Sequence, residues 1–374
     1  MNNAPTHHKN LWGDLNGKIA VSYWQVATQA WQDGRYLDSF YGMLDYINPD
    51  LRKTYGNISQ TSFSVPHGSV IVNISLKDDH VEFDSPFVDT TGALRIPLLR
   101  KVAELNFYPM ELATIRMKED KLHFQYKATL DTSEPYKTYM VLKEICRNAD
   151  RYDDDFREKF KTKNIVEPKV KHVSAADAAK VWANVNDIVT ETLALANYFD
   201  NKRWFGFTFD ILTIAVKRLD LAAQPQGFLK NEIERVIGEM KRQDINLVDK
   251  NGYGRTFLNN IIKMGPEAFA QNLYEAQTFV PDKWMTGLET IQTNMKTSLE
   301  SVNRAIKDQN PIGASMEALY FIYDLFYLNY IHKDVENTLM NGLTQASGKT
   351  WSESAAILQE TMQAVVDGRL ITNA

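Results

Sequence analysis

Cation binding is the first chemistry that the sequence suggests, at Asp249-Lys250-Asn251-Gly252-Tyr253-Gly254. Asp, Asn and Gly occupy positions one, three and six of the twelve-residue calcium loop here. Position five, however, is Tyr253 and position twelve is Asn260, so a chelating side chain and the bidentate Glu are missing. Too little negative charge remains for a divalent cation, and a glycine-rich turn is the favoured interpretation. A phosphate-binding loop would also need a preceding strand, a third Gly and a Lys.

Cys146 and the histidines are the candidates for nucleophilic catalysis or for binding a transition metal. Cys146 lies beside Leu142 and Ile145 on the apolar side of a predicted helix, where a buried thiol is inert. No two histidines have the i, i+4 spacing that brings two imidazoles to one metal ion. His67 and His80 border one predicted strand-turn-strand segment, so a shared site is an alternative to two solvated turn histidines.

Asp153, Asp154 and Asp155 form an acidic run that would bind a cation only if their side chains converged. Adjacent residues on a helix point in different directions, so a solvated helix face is favoured. The sequence therefore predicts no catalytic residue, no cofactor-binding residue and no metal ligand. No cofactor is expected.

The composition, 44% hydrophobic and 24% charged over 374 residues, is typical of a soluble globular protein with room for two domains. The net charge of −5 gives no case for a nucleic-acid partner or an anionic membrane. A single cysteine and a start without an apolar run predict a cytoplasmic protein. The most apolar window, residues 314–331, contains Glu317 and Asp324, which favours a buried helix over a membrane span.

The stretch from Ile58 to Leu130 alternates apolar and polar residues and predicts the sheet around which the first half is built. Five short strands are expected, around residues 63–65, 70–76, 81–87, 113–117 and 122–130. Their order along the chain predicts antiparallel pairing, beginning with a three-stranded meander. Lys121, His123, Gln125 and Lys127 fall on the parity opposite to the apolar row, so one face of the sheet is predicted to be wet.

Helices are predicted before, between and after these strands. The first covers residues 19–46 and breaks near Asp33-Gly34, and residues before it are expected to be loosely ordered. The second ends at Phe107, before Pro109, and its predicted apolar stripe is Leu98, Leu99, Val102, Leu105 and the nearby Ala103. The third is long and begins at Pro135, in a capping-type sequence.

The basic, aperiodic segment from Lys161 to Lys171, which contains Pro168, is interpreted as a linker. The predicted domains are therefore residues 1–165 and 166–374. Helices are expected in the second domain at residues 174–199, 207–221, 228–240, 285–306, 316–343 and 350–366, with a less regular piece at 246–265. The aromatic run 320–330 predicts its central helix, with an exposed tyrosine-rich partner surface as the alternative.

The order helix, three strands, helix, two strands, helix over Ile19 to Phe160 resembles the type III secretion chaperone and YbjN-like family. The stretches that carry the resemblance are residues 70–76 (VIVNISL) and 98–106 (LLRKVAELN), the latter similar to the family's central helix, which ends in Asn. The resemblance implies an α+β fold with an antiparallel five-stranded sheet and packed helices, followed here by an all-α helical domain. It also implies a non-enzymatic module that binds a protein or peptide and often pairs with itself as a homodimer.

The leading hypothesis from the sequence is a cytoplasmic, chaperone-like or adaptor-like protein that binds a protein or peptide. Neither nucleic acid nor membrane is an expected partner. An alternative is an enzyme whose site is assembled from distant residues in the cleft between the domains. A third hypothesis is a structural homo-oligomer.

Overall fold

The structure is a computed structural model and describes residues 3–11, 20, 22–68, 70–166, 170–281 and 283–372. Its contacts divide the chain into two units, each discontinuous in sequence. The α+β unit consists of Gly17–Lys171 and Glu275–Asp282, and the helical unit of Met1–Asn16, His172–Tyr274 and Lys283–Ala374. The sequence prediction, in contrast, divides the chain once, near residue 165.

The α+β unit contains the predicted antiparallel five-stranded sheet. Its strands are β1 (Ser62–His67), β2 (Val70–Lys77), β3 (His80–Asp89), β4 (Thr114–Lys118) and β5 (Lys121–Thr129). They lie in the order β1-β2-β3-β5-β4, which makes β1 and β4 the edges. A two-residue strand, β6 (Lys163–Asn164), lies within the predicted linker and pairs with the end of β3. Pro168 of that linker falls outside the described residues.

Alternation along the strands gives the sheet one apolar and one polar face, as predicted. Val72, Ile74, Val81 and Phe124 belong to the apolar face and are fully buried. The pairing of β3 with β5 shifts register between Pro86 and Val88, which lets consecutive residues of β3 enter the core. The sheet therefore needs helices on its apolar side only.

The helices of this unit are α1 (Ser22–Gln32), α2 (Tyr36–Ile47), α3 (Leu51–Tyr55), α4 (Arg95–Phe107) and α5 (Pro135–Phe160). The predicted break between α1 and α2 is confirmed, and Gly34 supplies the positive φ of 75° that ends α1. Residues 19 and 21 of the predicted first helix lie outside the described residues. Glu134 caps α5 by accepting a hydrogen bond from the Lys137 amide at 2.8 Å. α5 contacts β2, β3 and β5 and covers the apolar face of the sheet.

The helical unit contains α6 (Ala175–Asn201), α7 (Phe205–Ala223), α8 (Gly227–Lys241), α9 (Leu247–Ala270), α10 (Leu288–Lys307), α11 (Pro311–Leu328), α12 (Lys333–Ala346) and α13 (Trp351–Val366). Short strands occur at β7 (Lys171–His172), β8 (Tyr274–Glu275), β9 (Trp284–Thr286) and β10 (Asn329–Ile331). α7 is buried from Ile211 to Ala223 and contacts α6, α8, α9 and α11. An irregular helical bundle around one central helix is the result. None of the helices within the described ranges is long and apolar enough to cross a lipid bilayer.

The predicted irregular piece at residues 246–265 is wrong, because α9 covers it. Asn246 starts the helix by accepting a hydrogen bond from the Asp249 amide, and the helix stays regular up to Gly265. A Cβ on Gly254 would lie 3.1 Å from the Cβ of Leu212. Gly254 therefore allows two helices to pack closely. From sequence alone, a glycine in such a stretch is interpreted as part of a turn.

The predicted single helix at residues 316–343 is also wrong, because it is two helices. α11 ends at Leu328, and the next three residues form β10, which pairs in parallel with β9. The side chain of Asn329 accepts a hydrogen bond from the Thr286 hydroxyl and donates one to the Leu325 carbonyl. The chain therefore leaves the helical path where Asn329 can satisfy neighbouring polar groups.

The N-terminal residues that were expected to be loosely ordered are packed on the helical unit over residues 3–11. Ala4 is buried in the core of this unit, and its amide donates to the Lys349 carbonyl at 2.8 Å. The expectation is therefore wrong for this stretch. Residues 12–18 of the same expectation lie outside the described residues.

Candidate functional site

The predicted glycine-rich turn at residues 249–254 lies inside α9, so its side chains cannot converge as in a calcium loop. Asp249 is instead engaged with the capping residue Asn246 at the helix start. Across the described ranges, no group of three or more His, Cys, Asp or Glu side chains is arranged to hold a metal ion. The preference for a turn was wrong, and the region offers no cation site.

The candidate histidines do not form a shared site. In the sheet register His67 pairs with Val70 and His80 with Lys77, which are the two ends of β2. At 3.3 Å per residue these ends are separated by about 23 Å. His67, expected to be solvated, is buried, and its Nδ1 accepts a hydrogen bond from the Phe279 amide at 3.0 Å. His67 therefore has a structural role.

Cys146 is buried among apolar residues of the α+β unit, as predicted. Asp153, Asp154 and Asp155 lie on a half-buried stretch of α5, where Asp154 and Asp155 pair with Arg157 and Lys159 of the same helix. The aromatic run 320–330 lies mostly in α11, whose inward side is buried in the helical core. The run is helical up to Leu328, as predicted, but the central helix of this unit is α7 and not α11.

Charged residues of neighbouring strands neutralise one another on the polar face of the sheet. Asp84 accepts hydrogen bonds from Lys118, Gln125 and His123. Burial opposes ionisation of Asp84, but these hydrogen bonds outweigh it and hold the pKa of its carboxyl below the usual range. A cleft of about 490 Å³ lies over this face. Both carboxylates of its lining, Glu82 and Asp84, are paired with lysines of the sheet.

α4 has a second apolar side that faces solvent. Its inner stripe, Leu98, Val102 and Leu105, is buried as predicted. Leu99 and Ala103, predicted to belong to that stripe, are both exposed, Leu99 at 42%, and Ile96 is 70% exposed. Phe107, the last residue of α4, is 90% exposed, and Tyr108, directly after the helix, is 74% exposed. We call Ile96, Leu99, Phe107, Tyr108 and Leu112 the α4 surface.

Asn106 holds the end of α4 against the edge strand β4. Its side chain donates to the Ile115 carbonyl at 2.9 Å and accepts from the Ile115 amide at 2.7 Å. The side chain of Asn106 thus bonds both backbone groups of Ile115. Without it, these groups of an edge strand could pair with another chain. The position of Phe107, the next residue, is fixed by the same contact.

Glu144 of α5 fixes the segment between α4 and β4. Its carboxylate accepts hydrogen bonds from the amides of Glu111, Leu112 at 3.2 Å and Ala113 at 2.8 Å. Hydrogen bonds to a carboxylate are stronger than those between neutral groups. The exposed side chains of Tyr108 and Leu112 therefore lie on a backbone held from both ends.

A cleft of about 330 Å³ lies between this segment and α5. One wall carries Tyr108 and Leu112, and the other carries Lys143, Arg147 and Arg151 of α5. The three cations are four residues apart and so lie along one side of the helix. The arrangement pairs an apolar wall with a basic wall, and it can hold a segment that has apolar and acidic side chains.

No family model matches the chain, and no similar protein was found among curated proteins or solved structures. The resemblance to the type III secretion chaperones and the interdomain enzyme site both stay predictions. Sequence reasoning placed no contact residue on α4 or α5. The available signal was the set of apolar residues of α4 that do not belong to its inner stripe.

Proposed function

We propose that the chain is a non-enzymatic, adaptor-like protein that binds a segment of a partner protein at the α4 surface. The observation that carries the proposal is the exposure of Phe107 and Tyr108, 90% and 74%, on a backbone fixed by Asn106 and Glu144. Contiguous apolar side chains on a soluble protein mark interaction sites. Aromatic residues in rigid positions are the usual energetic centres of such interfaces.

Rigidity contributes to affinity as much as apolar area does. Covering an exposed aromatic or aliphatic side chain gains about 1.5–3 kcal/mol. Ordering a mobile loop on binding would offset much of that gain. Since Glu144 accepts hydrogen bonds from three successive amides, this segment is already ordered before a partner arrives.

The basic wall selects the chemistry of the partner. Lys143, Arg147 and Arg151 line the cleft beside the apolar residues, and the acidic side chains of its lining, among the residues that the structure describes, are Glu111 and Glu144. Glu144 keeps its negative charge while it accepts these amide hydrogen bonds, so the lining carries three cations against two carboxylates. The proposed ligand is therefore a peptide segment with aromatic or aliphatic residues next to Asp or Glu. A cytoplasmic location is part of the proposal, supported by a sequence with a single cysteine.

Selection from a random twelve-residue peptide library with the full chain as bait tests the proposal. We expect the recovered peptides to be enriched in aromatic and aliphatic residues adjacent to carboxylates. Phe107→Asp places a charge at the centre of the α4 surface and should abolish the enrichment. Because Phe107 is exposed, the variant should fold like the wild type.

Ile58→Asp is the matched control, since Ile58 is a fully exposed apolar residue of the same unit outside the α4 surface. It should select the same peptides as the wild type. Recovery of the same peptides by Phe107→Asp, or no enrichment at all, would contradict the proposal. Self-association that Phe107→Asp removes would show that the surface binds a second copy of this chain instead.

A further inference from the structure

Residues 3–8 lie in an extended conformation on the helical unit and are held there by backbone hydrogen bonds. Asn3 forms a β-bridge with Thr350, and its side chain donates to the Gly348 carbonyl at 2.9 Å. The Ala4 amide donates to the Lys349 carbonyl at 2.8 Å. The turn between α12 and α13 thus pairs with this segment as a neighbouring strand would.

Side chains of α6 and α7 form hydrogen bonds with Thr6. The Thr6 amide lies 2.9 and 3.1 Å from the two carboxylate oxygens of Glu191, and the Thr6 hydroxyl donates to the same group. The Thr6 carbonyl accepts a hydrogen bond from Arg218 of α7. Every polar group of Thr6 therefore has a partner in the helical unit.

His7 enters between α11 and the turn after α12. Its amide donates to the Ser347 hydroxyl at 2.8 Å, and its Nδ1 lies 2.8 Å from the Tyr323 hydroxyl oxygen. Burial raises the pKa of Tyr323 to about 12, so this hydroxyl keeps its proton. The contact therefore suits a neutral imidazole.

Glu191 and Arg218 make this groove a built site. Arg218 is almost completely buried and lies 3.0 Å from the Glu191 carboxylate. A buried guanidinium needs several acceptors, and the Thr6 carbonyl is one of them. The segment in the groove thus supplies one of the hydrogen-bond acceptors that the buried guanidinium of Arg218 needs.

We propose that this groove, lined by Glu191, Arg218, Tyr323, Ser347 and Lys349, is a binding site for an extended polypeptide. Residues 3–8 of the same chain are its exchangeable occupant. Ala4 and Pro5 are the buried residues of the segment, and both are small. Directional hydrogen bonds hold the segment together with the burial of these two small residues, so a segment of the same pattern can replace it.

Protonation of His7 opposes this docking. Burial, Arg218, His8 and Lys9 lower the pKa of His7 to about 3, and Glu191, Asp187 and Tyr323 are the other ionisable groups near the segment. A free segment has a histidine pKa near 6.5, so docking loses affinity as the pH falls below that value. At pH 5 the expected loss relative to pH 7.5 is about tenfold to thirtyfold.

Binding of a labelled peptide of residues 3–10 to the full chain, followed by fluorescence anisotropy, tests the proposal. Ala4→Arg keeps the whole chain but cannot dock its own segment, because Ala4 is buried. We expect this variant to bind the wild-type peptide at least tenfold more tightly than the wild-type chain does. Leu11→Arg adds the same charge at an exposed position and should behave like the wild type.

Thr6→Asp is a second releasing variant, at an exposed residue, that sets a carboxylate against Glu191. It should also bind the peptide, with affinity that falls between pH 7.5 and pH 5. Equal binding by the wild-type chain and both folded variants, or no binding by either variant, would overturn the proposal.

Discussion

Asn106 and Glu144 are polar side chains whose partners are backbone groups of the segment that precedes β4 and of β4 itself. Asn106 bonds both backbone groups of Ile115, and Glu144 accepts from three successive amides. Backbone groups at a sheet edge otherwise bond to water or to another chain. At the residue scale, the exposed apolar side chains of the α4 surface thus depend on two polar neighbours.

Asn106→Ala should destabilise the α+β unit and expose the edge of β4. Loss of two hydrogen bonds to partly buried backbone groups is expected to cost about 1–3 kcal/mol. Urea denaturation measures the change, and sedimentation velocity measures any association through the freed edge. Arg100→Ala, on an exposed position of the same helix, should change stability by less than about 0.5 kcal/mol. Equal stability of the two variants would count against the assigned role of Asn106.

The roles of single residues were the least predictable from sequence. Asn106 was noted only as the end of a helix that resembles a family pattern, and Glu144 was not singled out. Their partners lie nine and more than thirty residues away, so no local pattern reports them. His67 is similar, because its partner Phe279 is separated from it by 212 residues.

At the scale of elements, α7 is unusual because a buried helix carries several charged residues. Lys217 is fully buried, and its Nζ lies 2.8 Å from Asp324 of α11 and 3.8 Å from the centre of the Tyr320 ring. Asp210 of the same helix is partly buried, and the positive charge of Lys217 offsets that burial only in part. Burial and the nearby Glu317 raise the pKa of Asp210 to about 6.

Asp210 therefore makes stability depend on pH in a defined direction. A carboxyl whose pKa is raised on folding binds protons more tightly in the folded state, so its contribution falls as pH rises from about 4 to 6. Asp210→Asn should be more stable than the wild type at pH 7.5, by about 3 kcal/mol, and nearly equal to it near pH 4. Urea denaturation at both pH values measures this difference. A difference that does not change with pH would contradict the assignment.

Elements were predictable where one periodic signal dominated. The strands alternate cleanly because the sheet has one wet face, so their positions and antiparallel order are confirmed. α4 is apolar on two sides, and periodicity could not decide that Leu99 faces outward. In α9 the glycines suggested a turn where the chain is helical, because glycine is used both in turns and where helices pack closely.

At the scale of the whole molecule, the chain enters the α+β unit a second time at residues 275–282. Phe279 and Val280 are buried there, the Phe279 amide bonds His67, and the Gly68 amide bonds the Gln277 carbonyl. A single division at residue 165 would remove this segment from its unit. The sequence does not show that residues 275–282 belong to the α+β unit, because eight residues of ordinary composition carry no periodic signal.

Phe279→Ala should destabilise the α+β unit by about 3–4 kcal/mol, because it removes a buried aromatic side chain. Amide hydrogen exchange should accelerate in β1 and β2, next to His67, while helices of the other unit keep their protection. Thr278→Ala, at an exposed neighbouring position, is the control and should leave exchange unchanged. Faster exchange confined to the helical unit would contradict the assignment of this segment.

The most direct test of the partner-binding proposal is amide hydrogen exchange of the full chain with and without a library-selected peptide. We predict that the peptide slows exchange in residues 95–113 and 140–151, which carry the α4 surface and the basic wall of its cleft. Slowing confined to residues 114–127 of the polar sheet face, or to the helical unit, would contradict the account.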